Sequence, residues 1–175
     1  MPVLSLSFPI LPMVILALLV NPFTIVAAEP PPPACATPAH GEFDFWVGDW
    51  DVTLPDGKPA GTNHIERILA GCVVFENWNS ASSPFAGKSF NTYDAVTGTW
   101  KQVWVDTGGS TIHFSGQRKD NVMDMTGSQT TAAGTMYFRM SYTLNADGTV
   151  RQLWQQSVDQ KQWEVIFDGL YRRKD

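Results

Sequence analysis

The chain has 175 residues and a net charge of −5 at pH 7, with 43% hydrophobic and 17% charged side chains. This length predicts one domain. The acidic balance excludes a nucleic-acid partner, because a phosphate backbone requires a basic face.

Residues 1–28 have the pattern of a secretory signal peptide. They carry no charged side chain, and an apolar run over 10–20, interrupted only by Pro12, precedes Val-Ala-Ala at 26–28. Small residues at the −3 and −1 positions favour cleavage after Ala28. The alternative is an uncleaved membrane anchor, although the prolines disfavour a spanning helix. We therefore expect a periplasmic or secreted protein that meets a membrane only through an uncleaved signal segment.

A Pro-rich leader, residues 29–41, follows this segment. Its run Pro30–Pro33 favours a short, stiff polyproline helix. The chain has two cysteines, Cys35 and Cys72. In an oxidising compartment they are expected to form a disulfide that ties the leader to the domain. The alternative is a buried thiol at Cys72 with Cys35 unpaired.

The remaining segment, residues 42–175, is predicted to be an all-β barrel domain. Short segments rich in Val, Ile, Thr and aromatic residues alternate with turn signals at the spacing of about 8–12 residues typical of sandwiches and barrels. About ten strands are predicted, over 48–54, 61–70, 72–79, 88–94, 99–106, 110–118, 121–128, 134–144, 149–158 and 162–173. The short connections favour an antiparallel up-and-down meander, and closure removes its exposed edges. At most one helical turn is expected, near 42–47.

The second predicted strand contains a possible acid–base pair. Period-two alternation places His64 and Glu66 on one face of this strand and Ile65 on the other. An inward His–Glu pair would suit a general base or a ligand contact. The alternative, which alternation favours, is an exposed pair beside an inward Ile65 and Leu69.

Aromatic side chains predicted to face inward come from four later strands. The same alternation predicts a ligand cavity lined by the following residues: Gln102, Trp104, Phe114, Phe138, Met140 and Trp154. Five of them are large and apolar, so binding would depend mostly on burial, with Gln102 as the polar fixing group. The alternative is a dry, packed core, because a barrel must fill its interior.

The first strand opens with Gly48-Asp49-Trp50, which resembles the Gly-x-Trp signature of calycin barrels: lipocalins, fatty-acid-binding proteins and nitrobindin-like haem barrels. The resemblance implies that Trp50 closes one barrel end, that Gly48 permits close packing there, and that a cation from the last strand lies against the indole ring. Arg172 and Arg173 are the two candidate cations.

More broadly, 42–173 resembles a family of exported bacterial proteins of unknown function that have a lipocalin-like barrel. The resemblance is carried by stretches such as Phe43-Asp44-Phe45-Trp46-Val47-Gly48-Asp49-Trp50-Asp51-Val52 and Phe167-Asp168-Gly169-Leu170-Tyr171. It implies the fold but not the activity, because one barrel hosts many unrelated functions.

Three functional hypotheses follow. The first is a barrel that binds a small apolar or amphipathic molecule, and the second is an isomerase or lyase that uses His64 or Glu66 in the same cavity. The third is an envelope interaction domain with a packed core. No metal site is predicted, because two cysteines and three scattered histidines lack ligand spacing. No cofactor is expected; haem bound through His64 or His113 is a lesser alternative.

Overall fold

Ten antiparallel strands form a closed barrel in the computed structural model, which describes residues 34–174. The strands are β1 (Gly48–Thr53), β2 (Pro59–Ile68), β3 (Val73–Ser80), β4 (Ala86–Asp94), β5 (Thr99–Asp106), β6 (Thr111–Lys119), β7 (Val122–Thr131), β8 (Gly134–Leu144), β9 (Val150–Ser157) and β10 (Glu164–Arg173). Each strand pairs with its neighbours in sequence, and β1 pairs with β10 to close the ring. The predicted signal peptide and its cleavage site lie outside the described residues.

The predicted all-β, up-and-down barrel is confirmed, and most predicted strand ends agree with the structure within two residues. One difference lies at the end of β2. This strand stops at Ile68 because Leu69 and Ala70 adopt left-handed φ values of 51° and 55° within a 3₁₀ turn, Leu69–Gly71. Leu69 was expected to face inward, but the turn leaves its side chain 70% exposed.

The N-terminal segment closes one end of the barrel. Its two 3₁₀ turns, Pro38–Gly41 and Asp44–Trp46, lie at the end where β1 begins. The second is the helical turn expected near 42–47, whereas the first turn and the one after β2 were not predicted. Phe43 and Trp46 are fully buried, and their rings stack at 5.0 Å between centroids. Trp46 also packs on Tyr142 at 4.6 Å. The segment therefore forms a plug of aromatic rings, which we call the plug (residues 37–47).

Several bonds fix the plug to the strands. The predicted disulfide between Cys35 and Cys72 is present and ties the chain before the plug to the turn after β2. The guanidinium of Arg67 donates to the Asp44 carboxylate and to the carbonyl oxygens of His40 and Gly71. These contacts hold the plug against the strands at this end of the barrel.

Trp50 lies at the same end, in contact with one of the two candidate arginines. Its indole N–H donates to the carbonyl oxygen of Trp46 at 2.8 Å, and the ring is fully buried. The Arg173 guanidinium lies 4.4 Å from the ring centroid. Arg172 instead donates to Thr53 Oγ1 at 3.2 Å. The cation–π pair is therefore formed by Arg173.

Within residues 34–174, the structure contains no helix long and apolar enough to cross a bilayer.

Candidate functional site

A cavity of about 270 Å³ lies inside the barrel, between the open end and a layer of polar side chains. Phe85, in the loop between β3 and β4, and Ile166, at the start of β10, line it at its outer side. These two side chains are 40% and 41% exposed. Ile166 is the extra residue of a bulge between Val165 and Phe167, and a bulge turns side chains away from regular alternation. We call the cavity with these residues at its mouth the interior cavity.

Aromatic rings form the walls of the interior cavity. Trp104 and Trp154 meet edge to face with centroids 6.0 Å apart, and Trp78 meets Phe167 in the same way at 5.6 Å. Edge-to-face pairs hold rings rigidly, because the positive edge of one ring lies against the negative face of the other. The walls are therefore preformed and apolar, as small-molecule sites usually are.

Two inward-facing glycines give these rings room. A Cβ atom at Gly87 would lie 2.2 Å from the indole of Trp104, and one at Gly61 would lie 2.7 Å from the indole of Trp78. Both distances are far shorter than any van der Waals contact. Because these positions lack a side chain, the two indoles lie against the barrel wall, which leaves the centre of the barrel open.

A buried carboxyl group, Glu76 on β3, lies at the inner side of the cavity. The side chain lines the cavity although the residue is only 2% exposed. Its Oε1 accepts a hydrogen bond from the Asn63 amide at 2.7 Å, and its Oε2 accepts one from the Ser89 hydroxyl at 2.6 Å. Burial raises the pKa of Glu76 to about 7, against the opposing effect of these two hydrogen bonds.

The polar layer continues across the barrel through three amides and two phenols. The Gln102 amide donates to Asn91 Oδ1 at 2.8 Å and to the Tyr142 hydroxyl at 3.1 Å. The Tyr171 hydroxyl donates to Gln152 Oε1. Burial, and next the proximity of Glu76, raise the pKa of both phenols well above the ordinary value. Both tyrosines are therefore neutral donors at neutral pH.

Two donors of this layer have a weak partner, the sulfur atom of Met140. The Tyr142 hydroxyl donates to Met140 Sδ at 3.2 Å, and the Gln152 amide donates to the same sulfur at 3.0 Å. A thioether is a weak acceptor. All three side chains line the cavity, so an oxygen atom of a ligand would be a better partner for these donors.

Three of the six residues predicted to line a ligand cavity line the interior cavity, and the other three lie in the layers around it. Trp104, Met140 and Trp154 line the interior cavity. Phe138 lines an adjoining recess of about 390 Å³ that shares Trp154 and Ile166 with the cavity. Phe114 packs behind this wall, 5.8 Å from Trp154 between ring centroids.

The structure places Gln102, the predicted polar fixing group, one layer away from the interior cavity. It faces inward and is 1% exposed, but it lies within the polar layer and does not line the interior cavity. Its amide nitrogen is directed to Ser89, Asn91 and Tyr142. Glu76, for which no role was predicted, is the polar residue that lines the cavity instead. Val74 and Trp78 lie two residues before and two residues after Glu76, and this period-two spacing indicates that all three side chains face inward.

The acid–base pair considered for an enzyme lies on the outer surface. The side chains of His64 and Glu66 are 47% and 48% exposed, and His64 Nδ1 meets the Asp49 carboxylate at 2.7 Å. The inward alternative for this pair is therefore wrong, because Asn63 and Ile65 occupy the inner face of β2.

The histidines also do not fit the haem alternative. His64 and His113 both project from the outer face of the barrel, on β2 and β6. His40 is buried in the plug, where its ring packs against Tyr93. The interior cavity therefore offers no imidazole to an iron atom from the described residues. Among the same residues, no group of three or more His, Cys, Asp or Glu side chains has metal-site geometry.

A larger groove of about 630 Å³ lies on the outer face of β5 to β8. Its lining includes His113, Tyr137 and Arg139, and the Arg139 guanidinium stacks over Trp163 at 3.9 Å. Water competes for polar groups on an outer surface, so this groove lacks the enclosure that gives a small ligand most of its binding energy. The interior cavity is the better candidate site.

The closed ten-stranded antiparallel barrel, with one plugged end and an interior cavity, is consistent with the calycin-like fold that the Gly48-Asp49-Trp50 resemblance implies. Comparison of the chain with protein-family models and with curated proteins finds no match. The class of protein is thus defined by its fold alone.

Proposed function

We propose that this protein is an exported calycin-like barrel that binds one small, apolar or amphipathic molecule in its interior cavity. The observation that carries the proposal is the composition of the cavity: three tryptophans form walls that are held open by glycines, and a few polar groups lie at one side. A cavity of about 150 Å³ already admits benzene. The interior cavity, at about 270 Å³, has room for a ring with a short substituent.

Export is supported by the signal-like pattern of residues 1–28 and by the disulfide between Cys35 and Cys72. Disulfides persist in oxidising compartments such as the periplasm and the extracellular space. The proposed location is therefore periplasmic or secreted.

Replacement of Met140 by Trp tests the binding proposal. The larger side chain would fill the cavity, so it is expected to abolish binding while the domain stays folded. The matched control is Ser141→Trp, which adds the same indole to the opposite face of β8. Binding is followed by native mass spectrometry of the purified chain and by quenching of tryptophan fluorescence, since Trp104 and Trp154 line the cavity.

The expected result is a bound small molecule in the wild type and in Ser141→Trp, and none in Met140→Trp. Unfolding of Met140→Trp would show that the interior is already full, which favours an interaction domain with a packed core. Circular dichroism distinguishes loss of binding from loss of fold.

A second candidate function, an isomerase or lyase in the same cavity, is favoured by Glu76. A carboxyl group with a pKa of about 7 suits proton transfer near neutral pH. The Tyr142 hydroxyl, now directed at a thioether, would stabilise an oxyanion formed on a substrate. Deuterium uptake from heavy water into an aryl ketone, lost in Glu76→Gln, is the expected sign of this activity.

A further inference from the structure

The Glu76 carboxyl is buried without a cationic partner. Its two side-chain donors are the neutral groups of Asn63 and Ser89, and no Lys, Arg or His of the described residues forms an ion pair with it. Buried carboxylates are normally paired with a cation, because burial removes the water that stabilises their charge. A ligand that carries a positive charge would supply the missing partner.

The surroundings of the carboxyl group favour a cation for a second reason. Neither the interior cavity nor the adjoining recess is lined by a Lys, Arg or His side chain, whereas Glu76 lines the first and Asp106 lines the second. Clefts lined by charges of one sign concentrate ligands of the opposite sign. The tryptophan walls add faces on which an ammonium group is attracted by the ring quadrupole.

We propose that the interior cavity takes a small aryl- or alkylammonium ion, whose charged head lies against the Glu76 carboxylate and whose apolar body lies between the tryptophans. This inference rests on the proposed binding function and names the ligand class. It assigns to Glu76 the role of the residue that selects a protonated amine over a neutral molecule of the same shape.

Three probes of similar size test the inference: 2-phenylethylammonium, neutral 2-phenylethanol and the anion phenylacetate. Each is titrated into the full chain and followed by calorimetry. The ammonium ion is expected to bind about tenfold to hundredfold more tightly than the alcohol, the range for a hydrogen bond between charged groups, and phenylacetate is expected to bind most weakly.

Glu76→Gln preserves the shape of the side chain and removes its charge. This variant is expected to bind the ammonium ion no more tightly than the alcohol, while its affinity for the alcohol stays within about threefold of the wild type. Glu66→Gln is the matched control: it makes the same change on the outer face of β2 and should leave all three affinities unchanged. A thermal unfolding curve checks that each variant is folded.

The pH dependence provides a second measurement. No other group around the Glu76 carboxyl group changes its charge near pH 7. The Asn63 amide on β2 and the Ser89 hydroxyl on β4 do not titrate. The phenols of Tyr142 on β8 and Tyr171 on β10 stay neutral, because their pKa values are raised. The pKa of Glu76 is about 7, so ammonium binding should weaken about tenfold from pH 8 to pH 6 as the carboxyl group takes up a proton. The ligand amine stays protonated in this range.

Two outcomes would overturn the inference, and they differ in what they say about the binding function. If the alcohol binds as tightly as the ammonium ion, or if Glu76→Gln leaves the ratio of their affinities unchanged, the ligand class is wrong and the binding function stands. If neither probe binds the wild type, and native mass spectrometry of the wild type shows no mass beyond that of the bare chain, both proposals fail.

Discussion

The side-chain amide of Asn63 donates a hydrogen bond of 2.7 Å to the Glu76 carboxyl group and so joins β2 to β3 inside the barrel. Asn63 and Trp78, two residues after Glu76, are paired across the same two strands. The bond therefore places a polar group directly beside an aromatic wall, which is the arrangement that an amphipathic ligand requires.

The raised pKa of Glu76 makes stability depend on pH. The folded state keeps this proton up to a pH of about 7, whereas the unfolded chain loses it near the ordinary value of 4.5. The free energy of unfolding should therefore fall as the pH rises from about 4.5 to 7, by up to about 3 kcal/mol. Urea unfolding at several pH values measures this loss. Glu76→Gln should remove it, and parallel pH curves for wild type and variant would contradict the account.

The contact between Trp50 and Arg173 predicts unequal roles for the two arginines. Arg173→Gln should lower the free energy of unfolding by about 1 kcal/mol, because it removes a cation–π contact and a hydrogen bond to Val47. Arg172→Gln, the control, should change it by less than about 0.5 kcal/mol. Trp50→Ala should cost about 3–5 kcal/mol as a large-to-small change in the core. Equal effects of the two arginine changes, measured by thermal unfolding, would contradict this assignment.

The disulfide closes a loop between residues 37 positions apart in sequence. By the chain-entropy relation, Cys35→Ser should lower the free energy of unfolding by about 4 kcal/mol. The native chain should show no free thiol to Ellman's reagent before reduction, and the variant should show one. Two free thiols in the native protein would mean that Cys35 and Cys72 do not pair.

Gly87 is expected to keep the cavity open by leaving space for Trp104. Gly87→Ala should cost about 1–3 kcal/mol, because the new Cβ atom would overlap the indole ring. The displaced ring should also weaken ligand binding. The double variant Gly87→Ala, Trp104→Leu should recover part of the stability, since the smaller side chain removes the overlap. Additive losses in the double variant would argue against this contact.

Period-two alternation was sufficient to predict the fold and much of the inward face. It placed Trp104 on the same face of β5 as Trp100, and Met140 on the same face of β8 as Phe138. The structure buries the side chains of both faces. No inner face was assigned to β3, where the apolar Phe75 and the charged Glu76 are neighbours. Phe75 faces outward, where it packs against Phe90 at 5.0 Å.

The partners of the buried polar groups could not be predicted from alternation. Gln102 was correctly placed inside, but its role depends on Asn91 and Tyr142, which lie 11 and 40 residues away in the sequence. Such contacts follow from strand register and barrel closure, which bring distant strands together. The contact by which Arg67 ties the plug to β2 was not predicted for the same reason, because Asp44 lies 23 residues away in the sequence.

The most direct test of the central claim is the NMR signal of the Met140 methyl group in the methyl-labelled full chain during titration with 2-phenylethylammonium and, separately, with 2-phenylethanol. Met140 lines the interior cavity, whereas Met123 and Met125 are buried but do not line it and serve as internal controls. The account predicts a saturable shift of the Met140 signal with at least one probe and no comparable shift of the controls. A Met140 signal that stays fixed with both probes, or that moves only together with Met123 and Met125, would contradict it.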